Sequence, residues 1–244
     1  MIGRVRRRMQ TFTPVRPSET GIHEGLAFTL WLPEKAPPTG GVVILHGAGS
    51  CKENHHDFAR AALAAGFGAI AFDQRGHGAS EGPMDGRVLE EVVAMAALLR
   101  ARLQAPDPPI ALRGSSMGGY LAILAAPAAG ARAVVAICPA DPEGLRRGLD
   151  SGELGFEADR GALERLLSAH DLHRAVESLQ IPLLLLHAEG DERVPVQHSR
   201  ELAERMTAPG SRLITVPGGH HRSLQHDPEL RAVSLRWLER ALAT

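Results

Sequence analysis

The sequence predicts an α/β fold: a doubly wound, mostly parallel sheet flanked by helices, with a small helical cap. Six short, continuous apolar runs stand at 41–46, 68–73, 110–113, 133–138, 182–187 and 212–216. Strands buried on both faces of a parallel sheet read this way. Helix-patterned runs fall between and after them, at 54–65, 86–103, 117–126, 196–207 and 228–241. Such alternation implies right-handed crossovers within one sheet. With 244 residues, 44% hydrophobic and 23% charged, the chain can bury one sizeable core and reads as a single domain, 1–244.

The basic start, Met1-Ile-Gly-Arg-Val-Arg-Arg-Arg8, is followed by no long apolar run. It therefore lacks the pattern of a secretory signal and reads as a solvated tail. Runs 9–16 and 26–32 predict a lead-in antiparallel pair, and the Pro/Gly segment 33–40 a loop into the sheet. The first buried strand runs into His46-Gly-Ala-Gly-Ser50, where Gly47 and Gly49 let the loop fold close. The longest connection, 139–180, carries two helix-start signals: Asp159 before 160–169 and Asp171 before 172–179. An insertion there lies over the carboxyl ends of the strands, the edge where open α/β sheets bind ligands. It reads as the cap.

The chemistry centres on Gly114-Ser-Ser-Met-Gly118, between a strand-like run and a helix-like run. A serine on a sharp strand-to-helix turn needs small residues two positions to either side. Gly114 and Gly118 meet that need for Ser116. Framing the turn on Ser115 would put Arg113 where a small residue is required. Ser116 is thus the candidate nucleophile. Its partners should follow as an acid and then a histidine. Asp191, just past the strand 182–187, is the candidate acid, with Glu189, Glu192 and Asp141 as alternatives. The loop after 212–216, Pro217-Gly-Gly-His-His-Arg222, offers His220 and His221 as candidate bases. The backbone N–H groups of Met117 and Ala48 would hold an oxyanion. His46 reads as structural, as do Asp73 and Arg75 in the loop after 68–73. Leu145, Leu149, Leu154 and Phe156 hint at an apolar substrate lining.

Other classes are excluded or disfavoured. A net charge of −1 gives no broad attraction to nucleic acid or an anionic membrane. No run approaches the ~20 apolar residues of a membrane span, so no stable membrane insertion is expected. Two cysteines make no disulfide framework and suggest a cytoplasmic protein. No H-E-x-x-H and no i, i+4 histidine pair points to a metal, and the Gly-rich segments match no phosphate loop. No cofactor is implied.

These marks together resemble the α/β-hydrolase superfamily, from about residue 40 to the C-terminus. They are His46-Gly47, Asp73-Gln-Arg-Gly-His-Gly-Ala-Ser-Glu-Gly82, Gly114-Ser-Ser-Met-Gly-Gly119, Gly190-Asp-Glu-Arg-Val-Pro195 and Gly218-Gly-His-His-Arg222. The second is similar to the run of small-cap serine esterases, including cinnamoyl/feruloyl esterase-like and monoacylglycerol lipase-like members. Serine aminopeptidase S33-like members share it. The resemblance places the base at His221, with His220 second. It implies a carboxylesterase acting on a small-molecule ester through a Ser-His-Asp triad. An aminopeptidase or amidase on the same triad is the alternative, and a non-catalytic ligand-binding protein on this fold the third reading.

Overall fold

The computed structural model describes residues 14–34 and 38–243. Strands β1 (Glu19–His23) and β2 (Leu26–Trp31) form an antiparallel hairpin. Its turn, Glu24-Gly25, has φ of 51° and 78°, the left-handed pair that a two-residue hairpin loop requires. This corrects the expectation of a strand at 9–16: residues 14–16 are unpaired coil, and 9–13 lie outside the described residues. β1 escapes the apolar pattern because it is a largely exposed edge strand. Of the expected 33–40 loop, residues 35–37 lie outside the described residues.

The remaining elements follow the predicted alternation closely. They are β3 (Gly40–Leu45), a 3-10 turn (Lys52–His55), α1 (His56–Ala64), β4 (Phe67–Phe72), α2 (Val88–Arg102), β5 (Ile110–Ser115), α3 (Met117–Ala125) and β6 (Ala131–Ile137). Then come α4 (Pro142–Ser151), α5 (Arg160–Ala169), α6 (Leu172–Ser178), β7 (Leu183–Ala188), α7 (Val196–Ala203), β8 (Arg212–Val216), α8 (Ser223–His226) and α9 (Pro228–Leu242).

The eight strands lie in the order β1-β2-β4-β3-β5-β6-β7-β8, parallel from β4 to β8. The chain runs from β3 outward to β4, then returns to lay β5 on the other side of β3. The crevice at the carboxyl ends of β3 and β5 is therefore where an open sheet gathers its ligand loops. Alternate strand residues feed two cores. Val43 and Leu45 pack with the α2 and α3 side, Val42 and Ile44 with the α1 and α9 side. Each such fully buried aliphatic side chain contributes about 1.5–3 kcal/mol.

Between β6 and β7 both expected caps are present. Asp159 accepts from the Ala162 N–H (2.9 Å), and Asp171 from those of His173 and Arg174. Helix α4 was not expected. Asp141 caps it through the Gly144 N–H (2.6 Å), Pro142 opens it and left-handed Gly152 closes it.

The loop after β4 is braced as expected. Asp73 accepts from the Lys52 N–H (2.7 Å), the Lys52 ammonium (2.6 Å) and the Ala79 N–H (2.9 Å). Arg75 pairs with Glu91 and donates to the carbonyls of Glu81 and Glu24. His46 is fully buried; its Nε2 accepts the Gln74 N–H (3.0 Å), which leaves Nδ1–H to donate to the Gly47 carbonyl (2.8 Å). Protonating Nε2 would break the first bond, and burial pushes the His46 pKa down from 6.5 to about 4.

The folded state therefore resists a proton that the unfolded chain accepts below pH 6.5. His46 contributes about 3 kcal/mol above that pH, lost as pH falls to about 4. Burial lowers His55, His56, His77 and His198 in the same sense. The urea midpoint should be level above pH 6.5 and fall steadily towards pH 4. His46→Gln should flatten that fall; a midpoint constant across the window would contradict this account.

Candidate active site

Ser116 joins β5 to α3 with φ 52° and ψ −120°. A non-glycine residue there stores about 1–3 kcal/mol of strain, which the surroundings must hold. They hold it through the backbone. Ser116 N–H donates to the Ile137 carbonyl (2.9 Å), and its own carbonyl accepts from Gly119, Tyr120 and Ala140. The turn leaves no space beside it: a Cβ on Gly114 would overlap the Gly118 carbonyl, and one on Gly118 the Leu45 carbonyl. Ser115, by contrast, is a buried strand residue.

The turn leaves Ser116 partly exposed on a cavity of about 1140 Å³ at the carboxyl edge of the sheet. Gly47, Ala48, Leu145, Leu154 and His221 also line it. Met117 is the first residue of α3, so its N–H has no carbonyl of its own helix to meet. The Ala48 peptide sits in the turn Gly47–Ser50, closed by the Ser50 N–H on the Gly47 carbonyl (3.2 Å). Gly49 N–H donates to His77 Nε2 (3.2 Å), tying that turn to the loop after β4.

Asp191 follows β7 with its carboxylate fully shielded from solvent. Oδ1 accepts the N–H groups of Arg193 and Val194, each at 2.9 Å. Oδ2 lies 2.8 Å from His221 Nδ1. A second histidine, His187 at the end of β7, brings Nε2 within 3.4 Å of Oδ2. His187 is fully buried, with Nε2 on the Val194 carbonyl (2.9 Å) and Nδ1 on the Ser199 hydroxyl (2.7 Å). Burial alone would raise the Asp191 pKa. Hydrogen bonds from both imidazoles and both N–H groups outweigh it and hold the carboxyl well below the usual range.

None of the alternative residues meets the His221 imidazole. Asp141 caps α4, Glu189 pairs with Arg200 (3.2 Å), and exposed Glu192 accepts the His221 N–H (3.0 Å). His220 is exposed and its Nδ1 accepts the Arg222 N–H (3.3 Å). Ser116 and His221 share the cavity, and no hydrogen bond joins them among the described residues. Leu145 and Leu154 separate this cavity from a void of about 20 Å³, which Leu149 and Phe156 line with them. Phe156 also stacks on the His77 ring at 4.3 Å.

One ligand atom each from Cys138, Asp191 and His221 lie within 4.8 Å of one another. A metal would need the Cys138 thiolate. Burial pushes that thiol well up, and the neighbouring Asp191 carboxylate pushes it further. The cluster fits a histidine–carboxylate pair beside a neutral thiol. His187 and Ser199, which buttress the acid, were not singled out from sequence; a histidine four residues before Asp191, on a strand end, was the available signal.

Because the turn has no room at Gly118, Gly118→Ala should cost about 3 kcal/mol or prevent folding. Urea denaturation of the soluble fraction checks this, and a wild-type midpoint would refute the clearance argument.

The family described as serine aminopeptidase, S33, matches residues 36–143 and 159–229. The chain is 29% identical to the YfhR protein of Escherichia coli (strain K12) over 163 residues, 64% of this chain and 53% of that protein. It thus spans about half the length of that curated relative. It is 27% identical to a monoacylglycerol lipase of Mycolicibacterium smegmatis over 252 residues, covering 85% of this chain and 89% of the lipase. Among solved structures, Est1E of Butyrivibrio proteoclasticus with ferulic acid bound superposes with a TM-score of 0.72 at 20% identity, over 93% of this chain and 98% of that one. Paleococcus ferrophilus monoacylglycerol lipase gives 0.67 at 22%, over 88% and 99%. The solved structures share the α/β-hydrolase fold, and the stretches matched by the family contain Ser116, Asp191 and His221. The chain belongs to the serine aminopeptidase, S33 family of α/β-hydrolases.

Proposed function

We propose that this chain is a serine hydrolase that cleaves carboxylic esters through an acyl-enzyme. Ser116 is the nucleophile, His221 the base and Asp191 the orienting acid. The observation that carries this reading is the 2.8 Å contact of Asp191 Oδ2 with His221 Nδ1, on the cavity that the strained Ser116 faces.

Donation of Nδ1–H to Asp191 leaves the His221 Nε2 lone pair free. Nε2 takes the Ser116 proton as Oγ attacks the ester carbonyl. The Met117 and Ala48 N–H groups receive the oxyanion, and the Asp191 carboxylate stabilises the imidazolium. Collapse breaks the bond to the alcohol, which leaves with the proton from Nε2. Water then gives a proton to Nε2 as it attacks the acyl carbon, and the bond to Oγ breaks as Nε2 returns that proton to Oγ, releasing the acid and restoring Ser116. No step calls on a cofactor or a metal.

In this reading 139–180 is a cap within one domain, and Leu145 and Leu154 form part of the substrate wall. Among the described residues no helix is long and apolar enough to cross a membrane. A cytoplasmic setting fits the free thiols of Cys51 and Cys138. The relatives described as monoacylglycerol lipases favour esters. An aminopeptidase is the second reading, favoured by the family's description and by two acids on the cavity wall, Asp141 and Glu153. These could take a substrate ammonium. A non-catalytic binding protein would have no use for a strained serine beside a histidine–carboxylate pair.

Wild type should hydrolyse p-nitrophenyl esters from acetate to longer acyl chains, and Ser116→Ala should abolish turnover while melting as wild type does. Asp191→Asn should lose about 10⁴-fold in kcat. His221→Ala should be as damaging as Ser116→Ala, and His220→Ala should keep most activity. Turnover retained in Ser116→Ala refutes the assignment. Faster cleavage of an amino-acid p-nitroanilide than of any ester would favour the aminopeptidase.

A further inference from the structure

We propose that the ester taken by this site carries a negative charge, and that Arg193 and Arg222 receive it. The inference rests on the hydrolase reading above and names its substrate class. Both arginines line the cavity that Ser116 faces. Arg193 stands two residues after Asp191 and Arg222 directly after His221, so the loops that hold the acid and base also carry these cations. Both residues are exposed, and neither side chain has an ion pair or hydrogen bond among the described residues.

The neighbouring acids are already engaged. Glu189 pairs with Arg200, Glu192 accepts the His221 N–H, Asp191 holds His221, and Asp227 caps α9. Asp191 and Glu192 keep their charge but do not line the cavity, so the charged side chains that the β7 and β8 loops bring to its lining, histidines aside, are Arg193 and Arg222. The facing α4 wall is mixed: Arg147 lies 4.0 Å from Glu143, Asp141 is a helix cap, and Glu153 stands near the rim. A cleft focuses the field of its uncompensated charges, raising the local concentration of an oppositely charged ligand. A guanidinium is also shaped to take a carboxylate, sulfate or phosphate in two parallel hydrogen bonds. Neutral esters give these arginines no partner, and a substrate ammonium would be repelled from their wall. The structure therefore favours an ester that also carries an acidic group.

The test uses three p-nitrophenyl esters of similar length: the adipate half-ester (anionic), hexanoate (neutral) and 6-aminohexanoate (cationic). Adipate is chosen because its distant carboxylate attacks its own ester poorly. Wild-type kcat/KM should favour adipate over hexanoate by about tenfold at low salt, with the gap closing as salt rises. In the Arg193→Gln/Arg222→Gln double variant the adipate-to-hexanoate ratio should fall about tenfold towards one. Losses common to both esters cancel in that ratio. Arg222→Glu should shift preference towards the cationic ester. A wild-type ratio of one or less, a ratio unchanged in the double variant, or a wild-type preference for 6-aminohexanoate overturns the proposal. If hexanoate is cleaved without charge preference, this proposal alone fails. If no ester is cleaved and a fluorophosphonate leaves Ser116 unlabelled, the hydrolase reading fails and this one falls with it.

Discussion

The constraint on which the site depends is steric: the backbone must turn at Ser116 with no side chain at Gly114 or Gly118. β5 lies between β3 and β6, so the turn falls where the order of strands reverses. Ile137 and Ala140 on the β6 side fix the Ser116 peptide from one flank. On the other, the loop after β3 approaches so closely that a Cβ on Gly47 would lie 3.2 Å from Ser116 Cβ. A strained φ persists only if its neighbours cannot relax. Here the neighbours are central strands of a buried sheet, which yield little because protein interiors are close-packed.

Asp191 imposes the second order. A carboxylate on the loop after a strand can close an Asx turn or hold a histidine. The structure gives it both contacts. Oδ1 closes the turn through Arg193 and Val194, and His221 Nδ1 meets both oxygens, Oδ2 at 2.8 Å and Oδ1 at 3.0 Å. No lysine or arginine pairs with it among the described residues; N–H donors and two imidazoles stabilise it instead. That suits a group which must hold a histidine in place without a competing permanent cation. The two loops are tied together: Glu189 N–H meets the Val216 carbonyl and Gly190 N–H the Gly218 carbonyl, each at 2.9 Å.

The strands from 41 onward were legible because burial on both faces leaves a continuous apolar run that few other structures produce. The Ser116 turn was legible because its sterics demand glycine at fixed offsets. β1 was not, since an exposed edge strand has no hydrophobic pattern and its position is set by the two-residue turn at Glu24-Gly25. α4 hid behind Pro142, Gly144 and Gly148, poor helix formers whose cost is met by the Asp141 cap and the burial of Leu145 and Leu149. Leu149 and Phe156 illustrate a further limit. Their apolar character was read as part of the substrate lining, but they line the small void and not the cavity that Ser116 faces, an outcome that depends on how the helices pack. The free arginines were invisible for the same reason: a charge run names cations, and only the fold reveals which of them lack an acid.

The α4–α6 insertion is anchored rather than hung over the cavity. Met84 exchanges backbone hydrogen bonds with Glu157 (2.9 Å) and Asp159 (2.8 Å), and Glu157 N–H meets the Gly76 carbonyl (3.2 Å). A Cβ at Gly76 would overlap the Glu157 carbonyl, so the two segments touch backbone to backbone. His77 then links the insertion to the loop after β3, stacking on Phe156 while accepting the Gly49 N–H. A Cβ at Gly49 would lie 2.9 Å from the Leu154 carbonyl. Opening the insertion would therefore disturb the peptide next to Ala48. The insertion's cavity wall and the loop after β3 thus share one set of contacts. Changes at Phe156 or His77 should accordingly act on turnover as well as on substrate fit, whereas Arg193 and Arg222, which project from other loops, can vary without loosening it.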